Sequence, residues 1–165
     1  MTIEYLVVLP VEEIPEGASY KPGQPLPLHC TLMQWFHPGE NFGLVGLGNE
    51  LMLLAWGVKE GFIELVSKEP ALFGPKGDVP VHVMERNENL NLLHTELFVF
   101  LAKTGSLPKE LGWVGAGYRP HVTTALGEAF PPGKRHRAEW VVLIERNERK
   151  IRKVLGIYGL GEVPF

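Results

Sequence analysis

Cysteine is almost absent: the single Cys30 closes no internal disulfide, and one thiol is a poor foundation for a structural zinc site. Folding therefore rests on packing. Long hydrophobic runs are missing too. No stretch approaches the roughly 20 apolar residues of a bilayer-spanning helix, and MTIEYLVVLPVEE carries no basic leader ahead of its apolar stretch, so neither anchor nor signal peptide is expected. An excess of positive charge is lacking as well. The formal net charge of −3 argues against a domain that holds nucleic acid by charge alone. These absences leave a cytoplasmic globular protein with no membrane contact as the expectation.

What is present supports a sizeable core: 165 residues, 45% of them hydrophobic, are enough for one core or for two small lobes sharing one. Charge is unevenly spread. Residues 1–117 hold 7 Lys+Arg against 14 Asp+Glu and residues 118–165 hold 9 against 5, so a stretch at −7 precedes one at +4. The basic end includes GKRHR at 133–137 and RNERKIRK at 146–153, which read first as a solvated face.

Apolar and β-branched residues in IEYLVVLP, 3–10, predict a strand ending at Pro10. The proline-rich VEEIPEGASYKPGQPLP predicts a loop before a second strand begins at Leu28. Leu44, Leu47, Leu51 and Leu54 recur at helical spacing over 42–56, although Gly43, Gly46 and Gly48 weaken the start. FIELVS at 62–67 and VPVHVMER at 79–86 predict a hairpin joined by the turn-rich KEPALFGPKGD. Leu90, Leu93, Leu97 and Leu101 mark a helix over 88–103, with Asn87 or Asn89 as its N-cap. After the glycine-rich GSLPKELGWVGAGY come a strand at 119–126 and a closing hairpin of RAEWVVLIER and IRKVLGIY turning near Asn147. Strands that follow strands directly favour antiparallel pairing. The expectation is an α+β fold of two similar lobes in one domain spanning 1–165.

Two of these strands carry a histidine with a threonine two places on: His29 and Thr31 in LPLHCTLMQWF, and His121 and Thr123 in RPHVTTAL. Strand side chains at i and i+2 share a face, so each strand sets an imidazole beside a hydroxyl, with Cys30 and Val122 pointing the other way. One such triplet is read most simply as a partly buried histidine bonded to its neighbour. Two, in corresponding positions of two similar halves, favour a functional reading.

HCTL at 29–32 and HVTT at 121–124, 92 residues apart, resemble the paired H-x-[S/T]-hydrophobic motifs of the 2H phosphoesterases, in particular the LigT-like RNA 2',3'-cyclic phosphodiesterases, also called 2'-5' RNA ligases. Thr124 departs from the hydrophobic residue usual at the fourth position. The resemblance implies two αβ lobes, each an antiparallel sheet with its helix outside, flanking a central cleft into which both motifs point. It implies His29 and His121 as the catalytic acid and base, in either order, Thr31 and Thr123 as phosphate ligands, and no cofactor or metal. The chemistry suits the residues. In-line displacement at phosphorus needs a base on the attacking oxygen and an acid on the leaving oxygen, and imidazoles with a pKa near 6.5 supply both near neutral pH.

The substrate is then RNA or a small nucleotide, met by a monomer with no protein partner implied. A 2',3'-cyclic end, a 2'-5' linkage and a cyclic or 2'-5' oligonucleotide immune signal present the same phosphorus geometry. A catalytically silent nucleotide- or RNA-binding module is the competing class. Among aromatics near the motifs, Trp35, Phe36, Trp113 and Tyr118 are candidates for stacking on a base, with Tyr118 placed at the rim, and Arg119 shares the face of His121. His37, His82, His94 and His136 read as structural or surface residues, and a zinc set of His29, His82 and His121 lacks HExxH or paired-cysteine spacing. The glycines of GLVGLGN and GAG do not complete a dinucleotide loop.

Overall fold

The computed structural model describes residues 2–106, 108, 110–123 and 131–161. Among these residues the chain runs β1 (Glu4–Pro10), β2 (Ser19–Tyr20), β3 (His29–Phe36), α1 (Leu44–Trp56), β4 (Ile63–Phe73), β5 (Val79–Met84), α2 (Glu88–Lys103), β6 (His121–Thr123), β7 (Arg135–Ala138), β8 (Trp140–Arg146) and β9 (Arg152–Gly159). All pairings are antiparallel, in the order β2-β9-β8-β1-β3-β6-β5-β4-β7. The α+β expectation holds, with the two half-sheets joined edge to edge where β3 meets β6. Thr124, Ala125 and Leu126 of the expected strand lie outside the described residues.

Both helices cover one face. Leu90, Leu93, Leu97 and Leu101 of α2 are buried as their spacing predicts, and the Asn87 side chain caps the helix by accepting from Leu90 N at 3.2 Å. In α1 the buried residues are Leu47, Leu51 and Ala55, whereas Leu44 is 42% exposed. The stripe thus shifts from the one its leucines predict, away from Leu44 and toward Ala55, while Leu54 packs half-buried against the core. These residues form one cluster with Val7, Leu9, Cys30, Leu32, Val122 and Leu143, so Cys30 and Val122 do point toward the helices. Their burial is the main stabilising term, at roughly 1.5–3 kcal/mol for each large aliphatic side chain.

Two smaller clusters lie on the opposite face. Leu6, Val8, Val142, Ile144 and Val154 are covered by Ile14 and Tyr20 from the 11–28 segment, whose short β2 pairs with β9. Phe73, Val81 and Val83 are covered by Trp113. Between these clusters β3 and β6 carry the motif side chains. Strand β4 is longer than expected: it continues through the turn-rich Lys68–Pro70 stretch to Phe73, pairing first with β7 and then with β5. Strand β7 escapes the apolar pattern because RHRA is polar and lies at an edge. Although β7 ends one side of the strand order, Glu139 alone separates it from β8 in the other half-sheet, and His136 Nε2 reaches Pro10 O at 3.2 Å.

Candidate active site

Cys30 is the direct partner of Val122 across the β3–β6 seam. Antiparallel register then sets His29 opposite Thr123 and Thr31 opposite His121, all four on the face away from the helices. Directly opposed residues have Cβ atoms about 4.5–5.5 Å apart and diagonal ones about 7–8 Å. The two imidazoles occupy one diagonal of a small quadrilateral and the two hydroxyls the other. A local twofold axis between β3 and β6 relates the pairs.

Backbone carbonyls fix both rings in the same way. His29 Nδ1 donates to Pro27 O at 2.7 Å, and His121 Nδ1 donates to Arg119 O at 2.8 Å. A carbonyl only accepts, so Nδ1 carries the hydrogen in each ring and Nε2 is left for a ligand. Both histidines are half-buried, Thr31 is half-buried and Thr123 is exposed. Burial lowers the His29 pKa below 6.5, opposed by the Pro27 carbonyl and reinforced by nearby His121. For His121 burial again lowers the pKa, the Arg119 carbonyl opposes it and the Arg119 charge adds to it.

Supporting residues come from elements whose role is tertiary. The His121 ring meets the Phe73 ring edge-on at 4.7 Å between centroids, and Arg119 lays its guanidinium 4.8 Å from the same Phe73 centroid. Arg119 therefore lies on the His121 side of the site, exposed, as its spacing predicts. Tyr118, expected at the rim, is only 6% exposed. Its hydroxyl donates to Thr31 O at 2.9 Å and its ring stacks on His94 at 3.9 Å. A buried tyrosine needs a partner for its hydroxyl, and the strand carbonyl under Thr31 supplies it. The glycine-rich loop folds back to bring Tyr118 beneath β3: a Cβ at Gly117 would sit 2.0 Å from Gly112 O.

His94 is buried with both nitrogens engaged, Nδ1 donating to Leu32 O at 2.8 Å and Nε2 accepting from Gly115 N at 2.9 Å. It thus ties α2, β3 and the glycine loop together. The alternative set of His29, His82 and His121 is not brought together, because His82 pairs with Val122 and shares its face of the sheet. Phe36 is fully buried in the core, while Trp113 stands half-buried against Phe73, with its ring 6.5 Å from that of His121.

Comparison with family models and with curated proteins finds no match. Among solved structures, a phosphoesterase aligns over 98% of this chain and 100% of its own at 15% identity, with a TM-score of 0.58. LigT of E. coli, complexed with 3'-AMP, aligns over 98% and 100% at 14% identity and TM-score 0.58. The chain has a LigT-like fold. TT0787 of Thermus thermophilus shares it over 99% of this chain and 100% of its own, at 20% identity and TM-score 0.52.

Sequence reasoning misses two residues that this LigT-like fold brings to the site. Gln34 lines cavities on both sides of the motifs together with Thr31, because a bulge in the β1–β3 ladder buries Met33 and breaks the i, i+2 alternation. Phe73 sits in a stretch whose prolines and glycines disguise a strand end; the ALF preceding GPKGD was its only signal. A wider cavity of about 680 Å³, lined by Pro10–Glu16 and His136–Val142 residues, contains none of the four motif residues. Chemistry, not volume, marks the site in this LigT-like fold.

Proposed function

We propose that the chain is a phosphodiesterase that works without a metal, hydrolysing a 2',3'-cyclic phosphate or a 2'-5' phosphodiester in RNA or a small nucleotide. One Nε2 takes the proton of the attacking water as the new P–O bond forms. The other imidazole, protonated, gives its proton to the sugar oxygen as the old P–O bond breaks. Thr31 and Thr123 donate to the non-bridging oxygens, where hydrogen bonds to charge are worth about 1.5–3 kcal/mol each. Run backwards, the same pair joins a 2',3'-cyclic phosphate to a hydroxyl, as a 2'-5' ligase does.

The observation that carries this reading is the matched locking of the two rings, Nδ1 to the carbonyl two residues upstream in each case. A binding module has no use for two imidazoles held in the same tautomer on one diagonal. The LigT-like fold adds support.

The test is incubation in EDTA with 2',3'-cyclic nucleotides, 2'-5' oligonucleotides and cyclic dinucleotides, followed by phosphorus NMR. Turnover is expected for at least one class, with kcat falling about 10²- to 10⁴-fold in His29→Ala or His121→Ala at unchanged melting temperature. A wild-type rate in either soluble variant removes that histidine from the mechanism. Binding without turnover makes the chain a nucleotide-binding module instead.

A further inference from the structure

Beside His29 lies a second cavity, of about 230 Å³, whose walls include Thr31, Gln34, Trp35, Arg146 and Arg152. Arg146 on β8 and Arg152 on β9 are direct cross-strand partners. They stand on the face of Ile144 and Val154, which is the face of the motif side chains. Like charges directly opposed on a ladder destabilise it, so this pairing persists against a cost.

Arg146 is compensated: its Nη2 lies 2.9 Å from Glu4 Oε2, and its guanidinium covers Trp35 at 4.1 Å from the centroid. Arg152 is not. It donates to Lys21 O at 2.6 Å and to Gln24 O, both uncharged, and among the described residues it forms no ion pair. Those carbonyls orient the guanidinium without neutralising it. Burial, and then the charge of Arg146, lower the Arg152 pKa from its ordinary value; the guanidinium keeps its charge, and an anion in the cavity would offset that cost. A half-buried, oriented and uncompensated guanidinium facing a cavity next to His29 suits a planar fork of donors to phosphate oxygens.

We propose that this cavity is a second anion subsite, taking a phosphate that neighbours the scissile one, so that the substrate is a nucleotide or oligonucleotide with at least two phosphate groups. The inference rests on the phosphodiesterase reading, which sets the scissile phosphate between His29 and His121. Two sources of the second phosphate share this chemistry: an internal phosphodiester of an oligonucleotide, or a terminal phosphate on a mononucleotide.

Three substrates separate them: adenosine 2',3'-cyclic phosphate, its 5'-phosphorylated form, and a dinucleotide ending in a 2',3'-cyclic phosphate. At least one two-phosphate substrate should exceed the one-phosphate substrate in kcat/KM by about tenfold or more, mainly through KM. Arg152→Gln should bring that ratio close to 1, and Arg152→Lys should restore part of it. Since Arg152 also holds the 21–24 turn, melting temperatures accompany each variant. Equal kcat/KM for all three substrates, or an undiminished preference in Arg152→Gln, overturns the inference and leaves the phosphodiesterase reading intact.

Absence of turnover with every substrate defeats that reading, and binding then decides the subsite. Inorganic pyrophosphate, titrated by calorimetry, should bind in a salt-sensitive way, tighter than orthophosphate, and lose that advantage in Arg152→Gln. No advantage of pyrophosphate over orthophosphate overturns the subsite by itself.

Discussion

Replacing His94 with phenylalanine tests whether the site is braced from behind. Phenylalanine keeps a flat ring against Tyr118, now stacked at 3.9 Å, but removes both hydrogen bonds, to Leu32 O and from Gly115 N. Each buried group left without its partner costs about 1–3 kcal/mol, so the pair costs about 2–6 kcal/mol. For a domain of this size that lowers Tm by roughly 4–24 °C. Calorimetric melts at several pH values supply the assay and a second signature. Burial lowers the His94 pKa from 6.5, so the folded state binds fewer protons than the unfolded one. Stability from this residue is present above pH 6.5 and is lost as pH falls from there through the lower folded pKa. His29 and His121 behave alike, so the variant should keep only part of the acid-side decline. A variant melting within a degree of wild type, with a parallel pH dependence, refutes the bracing role.

Thr31→Val and Thr123→Val should each lower kcat/KM by about 10- to 150-fold, the equivalent of about 1.5–3 kcal/mol, in steady-state assays on whichever substrate turns over. A loss of less than threefold for either takes that hydroxyl off the phosphate. With the pKa values of His29 and His121 both lowered in the free protein, the proposed acid–base pair should give kcat/KM a bell in pH with its maximum below 6.5. Arg119→Gln removes a charge that lowers the His121 pKa, so the bell should move to higher pH; an unmoved profile shows that Arg119 does not act on His121.

The parts of this fold that follow local rules were legible in the sequence. Leu90, Leu93, Leu97 and Leu101 bury themselves at helical period, and the i, i+2 rule aligned each histidine with its threonine on one face. What escaped depends on distant chain. The β3 bulge that brings in Gln34 is imposed by the β1 partner, and the polar β7 exists because β4 extends an edge to it. Tyr118 looks like a rim residue from its glycine neighbours, yet those glycines let the backbone carry it underneath β3. His94 shows only as a polar residue beside a leucine stripe; its two bonds reach strand and loop residues 62 and 21 positions away.

The twofold axis through the seam makes the motif quartet indifferent to direction. Turned end for end, a phosphodiester would find the same imidazoles and the same hydroxyls. Orientation is therefore written in the flanks: an aromatic wall with Arg119 beyond one ring, a paired-arginine bay beyond the other. On the proposed phosphodiesterase reading, exchanging those flanks would reverse the polarity in which a substrate lies, and swap the jobs of the two histidines, with no motif residue altered.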